Sequence, residues 1–113
     1  MLTMEGYKKA FAQQVAHGNP HLFEGPLPDM FKSIVVLDVT IGREGEVVKV
    51  AVHRSNGFKA LEKVALDSVR RAGPYAWPSA ALRKGGNSVN FLETFLFRND
   101  GRFQIRTLVA SAQ

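Results

Sequence analysis

The sequence predicts an α+β domain: an antiparallel sheet of three to four strands packed against two helices, in the order α-β-β-α-β-β. Three observations carry this. Residues 32–54 alternate apolar and polar side chains on both sides of a GREGE turn. Residues 58–72 repeat apolar residues with helical period. Residues 88–98 form a third extended apolar run, closed by NDG and followed by a shorter one. A chain of 113 residues, 45% hydrophobic, is enough for one core.

Taken in order, residues 5–17 place Tyr7, Phe11 and Val15 four apart with Ala10 alongside, one face of a short helix that Gly18, Asn19 and Pro20 stop. The segment NPHLFEGPLPD holds three of the five prolines and reads as loop. In the first strand Val35, Leu37, Val39 and Ile41 share a face, and in the second Val48, Val50 and Val52 do so, which makes residues 32–54 a hairpin. Ser55, Asn56 and Gly57 break it. On the second helix Leu61, Val64, Ala65, Ser68, Val69 and Ala72 form one stripe, expected to cover the hairpin. Arg70 and Arg71 suit the negative end of its dipole, and Gly73-Pro74 ends it. In GPYAWP the prolines hold an extended connector, with Tyr75 and Trp77 both expected to anchor it against the core. In the strand at 88–98, Val89, Phe91, Phe95 and Phe97 share one face and Leu92, Thr94 and Leu96 the other, so both faces call for cover or a partner. RFQIRTL is expected to be the last strand and VASAQ a frayed tail.

Composition excludes several chemistries. Without cysteine there is no disulfide, thiol nucleophile or Cys-ligated zinc. No apolar run is long enough to span a bilayer and no signal peptide is visible. His17 and His21 have the spacing of a helical metal pair, but Gly18-Asn19-Pro20 separates them, and His53 lies on a strand, so no metal site is expected. There is no Gly-x-Ser-x-Gly elbow, no acidic pair in an apolar setting and no phosphate-binding loop around RKGGN. No catalytic residue, no cofactor and no enzymatic activity are expected. The net charge of +5 favours acidic partners. The first two strands, however, lack the aromatics of an RNA-binding sheet, so no nucleic-acid partner is expected.

The ordered set VVLDVTIGREGEVVKVAVHRS, ALEKVALDSVRRA, GPYAWPSA and FLFRNDGRFQIRTL resembles the C-terminal domain of the TonB family, the energy transducers of Gram-negative bacteria, over about residues 33–108. The resemblance implies residues 1–30 as an N-terminal helix and Pro-rich loop and residues 31–113 as a TonB-like domain, together one compact unit. It implies a non-catalytic periplasmic adaptor, the soluble part of an inner-membrane-anchored protein. Such a domain grips a peptide of an outer-membrane TonB-dependent receptor by strand addition and is driven by an ExbB/ExbD-type complex through an anchor that this sequence lacks. It places the gripping edge on the strand after the main helix, Ser88–Arg98, with Val89, Asn90, Phe91, Leu92, Glu93, Thr94, Phe95, Leu96, Phe97 and Arg98 as contact residues. The NDG turn is expected to fold Arg102–Leu108 back beside Ser88–Arg98 and cover this edge, so a peptide must use a free part of it or displace the last strand; an uncovered edge would also permit a homodimer. Two other readings stay open: an envelope structural or assembly module of the same fold, and a basic nucleic-acid-binding domain.

Overall fold

A computed structural model describes residues 3–111, the last two by backbone alone. Helix α1 (Met4–Ala16) begins where the Thr3 hydroxyl accepts the Gly6 N–H at 3.0 Å. It presents Tyr7, Phe11, Ala12 and Val15 to the core. Strands β1 (Ser33–Gly42) and β2 (Val47–Arg54) form the hairpin. Gly45 turns it at φ +81°, and a Cβ there would fall on the Tyr75 carbonyl. Helix α2 (Lys59–Ala72) follows, then a short helix α3 (Ala80–Arg83), β3 (Ser88–Phe97), β4 (Phe103–Ile105) and a terminal helix α4 (Arg106–Ser111).

The sheet order is β2-β1-β3-β4, antiparallel throughout. β1 pairs β3 over ten consecutive residues without a shift, from Ser33↔Phe97 to Gly42↔Ser88. On one face the odd-numbered residues of β1 and β3 meet α1 and α2 in the core, with Phe11 stacked edge-on against Phe91 at 4.9 Å. From α2, Ala65, Ser68 and Val69 are buried, while Leu61, Val64 and Ala72 pack half-buried at its margin.

Three expectations need correction. RFQIRTL is strand only through Ile105; Arg106–Ser111 is helical, and Thr107 in its first turn donates to the buried Glu93 carboxylate. Of the expected frayed tail, only Ala112 and Gln113 lie outside the described residues. Trp77 is 70% exposed, whereas Tyr75 is buried and donates its hydroxyl to the Val69 carbonyl at 2.5 Å. An extended proline-type segment has three residues per turn, so Tyr75 and Pro78 share the inner side and Trp77 is turned off it. The face of the sheet opposite the helices, where cover or a partner was expected, is open in part: Ile34 and Leu92 are 47% and 42% exposed there, while Val36 and Leu96 are buried.

The loop after α1 has a structural task that its composition did not show. Phe23 is buried and donates its N–H to the Phe103 carbonyl at 3.0 Å, and the Phe103 N–H donates to the His21 carbonyl at 2.7 Å. Leu22 thereby bridges Phe103 in parallel and covers the outer edge of β4.

Candidate functional site

In a strand the N–H and C=O of each residue point to the same side, and successive residues alternate. The Arg98 N–H donates to the Arg102 carbonyl at 2.8 Å, so even-numbered residues of β3 direct their backbone toward β4 and odd-numbered ones toward β1. But β4 pairs only Phe95–Phe97 before the chain turns away as α4. Ser88, Asn90 and Leu92 therefore direct their backbone groups to a side on which no strand of the described residues lies. The next group, the Thr94 N–H, is taken by Glu93 Oε1 at 3.1 Å.

The predicted contact residues separate by register. Val89, Phe91, Glu93, Phe95 and Phe97 are buried on the helix side. Asn90, Leu92, Thr94 and Leu96 lie on the open face, where Leu96 is covered and Leu92 is not. Arg98 is already engaged: its guanidinium stacks over the Phe23 ring at 4.3 Å and pairs with Asp100 at 2.5 Å. Phe95, Leu96 and Phe97 lie between paired strands, β1 on one side and β4 on the other, so the unpaired backbone is confined to the first half of the strand and includes Ser88.

This half is tied to β1 by a side chain. The Asn90 amide donates to Asp38 Oδ1 at 2.6 Å, Thr40 Oγ1 at 3.0 Å and the Val39 carbonyl at 3.1 Å, which ties β3 to β1 through the side chain as well as the ladder. The Asn90 hydrogen bond, ahead of the nearby Lys49 ammonium, holds the Asp38 carboxyl below its usual range. Beside the stretch a groove of about 620 Å³ is lined by Ile34, Val36, Leu92 and Thr94, with Lys8, Arg54 and Arg106 among its polar residues and no acid.

Glu93 closes the far end. Its side chain is 1% exposed on the core face, between Phe91 and Phe95. Thr107 Oγ1 donates to both carboxylate oxygens at 2.8 and 2.9 Å, and the Thr107 N–H adds to these. Burial pushes the carboxyl above its ordinary pKa, while Thr107, Lys8 and Thr94 pull it back. Sequence reasoning named Glu93 only as one residue of a gripping strand. The signal for more was an acid at the position where Val89, Phe91, Phe95 and Phe97 demand an apolar residue.

The other long edge offers no such template. Along β2, Arg54 pairs Val36 and Val52 pairs Leu37, then Lys49 pairs Thr40 and Val47 pairs Ile41. His53 and Val48 are therefore extra residues, two bulges that bend the strand, and Lys49 and Arg54 add charge beside them.

Among the described residues no three His, Cys, Asp or Glu side chains converge as metal ligands, and no helix is long and apolar enough to cross a membrane. A family model described as Gram-negative bacterial TonB protein C-terminal matches residues 32–98, from the start of β1 to the end of β3. No curated protein and no solved structure shows significant similarity to the chain.

Proposed function

The chain belongs to the family of Gram-negative bacterial TonB C-terminal domains, and on that premise we propose that it is a non-catalytic periplasmic adaptor that grips an outer-membrane receptor peptide by strand addition. One observation carries the reading: Ser88–Leu92 is a shift-free stretch of β3 with strand on one side only. The outer edge of β4 is bridged by Leu22, and β2 is bulged twice. A peptide laid on Ser88–Leu92 recovers backbone hydrogen bonds whatever its side chains, so affinity comes with little sequence demand. Alternate peptide side chains would face the groove at Leu92, where aliphatic groups meet Ile34 and Val36 and acidic groups meet Lys8, Arg54 and Arg106. In the full system the grip would be driven by an ExbB/ExbD-type complex through an inner-membrane anchor.

Leu92→Pro tests this. The substitution removes one N–H from the open side of β3 and none from its pairing with β1, and proline is tolerated in a strand where its nitrogen faces away from a partner. A receptor N-terminal peptide should bind the parent chain and lose about tenfold or more against Leu92→Pro, with circular dichroism unchanged. Equal affinity for both chains would refute strand addition on this edge.

A further inference from the structure

We propose that Glu93 is the register stop of the open edge: its carboxylate occupies the Thr94 N–H and, clasped to Thr107, ends the addable stretch at Leu92. The inference rests on the reading of Ser88–Leu92 as a strand-addition site and says how much peptide that site takes.

A strand added beside β3 would pair with the even-numbered residues in turn. Ser88, Asn90 and Leu92 present free backbone groups, and the next in line is Thr94. Its N–H already has a partner in Glu93 Oε1 at 3.1 Å. The carboxylate cannot swing aside cheaply, because Thr107 donates to both of its oxygens and it is 1% exposed. Releasing it would leave a buried charge with fewer donors. The same clasp ties β3 to the first turn of α4, so the helix that replaces a continued β4 stands at the point where pairing ends. Thus one side chain performs two tasks. It protects the edge beyond Leu92 from unwanted pairing, and it fixes the reach of a partner at about five residues, or about 17 Å of extended chain.

The experiment uses the full chain and a series of soluble, end-capped Thr-Val peptides of about three to ten residues, each carrying one lysine for solubility. Affinity is followed by titration and pairing by amide hydrogen exchange. For the parent, affinity should rise with length up to about five residues and then change by less than about twofold, and peptide should slow exchange at Asn90 and Leu92 but not at Thr94. Glu93→Ala also frees Thr107 and with it the start of α4, which stands opposite Thr94; the Thr94 amide should then join the protected set, and peptides longer than about five residues should gain about three- to tenfold, the worth of one added hydrogen bond. Glu93→Gln keeps a carbonyl oxygen for Thr94 and should keep the plateau, which separates the stop from a general loss of stability. Protection at Thr94 in the parent, or a plateau unmoved in a folded Glu93→Ala chain, overturns the register stop while leaving strand addition standing. Should Glu93→Ala not fold, the parent's Thr94 protection and length dependence decide the matter alone. Failure of every peptide to protect Asn90 and Leu92 overturns both readings.

Discussion

Glu93 stands where the pattern of β3 calls for an apolar side chain, and burial raises its pKa above the ordinary 4.5. The sign of its effect on stability follows. Between the ordinary value and the raised one, the folded chain holds a proton that the unfolded chain has released, so stability falls as pH rises through that window. Above the folded pKa the cost is fully present. Glu93→Gln has no proton to lose, so the drop in melting temperature from about pH 4 to about pH 8 should be smaller than in the parent; identical pH profiles would contradict the burial of this charge. Asp100 titrates the other way, held to about 2 chiefly by its Arg98 hydrogen bond, and both chains share it. The two aromatics of GPYAWP separate equally clearly. Tyr75→Phe strands the Val69 carbonyl in the core and should cost about 1–3 kcal/mol in denaturant unfolding. Trp77→Ala removes an exposed ring and should lie within about 0.5 kcal/mol of the parent. The sequence alone could not separate them, because which side of an extended segment faces inward depends on what it packs against.

Among the elements, periodicity found α1, both strands of the hairpin, α2 and β3, each long enough to repeat its pattern. It failed on the short ones. Four residues of α3, three of β4 and six of α4 are too few to show a period, and the Thr107–Glu93 contact at the start of α4 joins residues distant in sequence. The length of β4 matters for the site: had the strand continued beyond Ile105, Ser88–Leu92 would be covered. What holds so short a strand is its side chains. Phe103 and Ile105 are fully buried, and Phe103 stacks edge-on with Phe95 at 5.0 Å. Phe103→Ala should therefore cost about 3–5 kcal/mol and loosen the Leu22 bridge with it; a cost under about 1 kcal/mol would show that β4 is held by its backbone pairing instead. The bulges of β2 were equally hidden, since Val48, Val50 and Val52 alternate in sequence as a regular strand does. Only the pairing with β1 reveals that Val48 falls out of step.

At the scale of the whole molecule, the layers were legible and the state of the edges was not. An apolar stripe on each helix and alternation on each long strand dictate one covered face. Which edge remains open depends on where three short segments end: the His21–Phe23 bridge, β4 at Ile105 and the Glu93–Thr107 clasp. Together they leave one five-residue stretch of β3 in which Ser88, Asn90 and Leu92 direct regular unpaired backbone outward among the described long edges, and the adaptor reading stands on it. The most direct measurement is amide hydrogen exchange of the full chain, residue by residue, with and without an outer-membrane receptor peptide. New protection is expected at Asn90 and Leu92, with Phe91 and the other odd-numbered amides, already paired with β1, unchanged. Perturbation confined to the basic face of α2 around Lys59, Lys63 and Arg70, with Asn90 and Leu92 exchanging as before, would contradict it and point to an electrostatic partner instead.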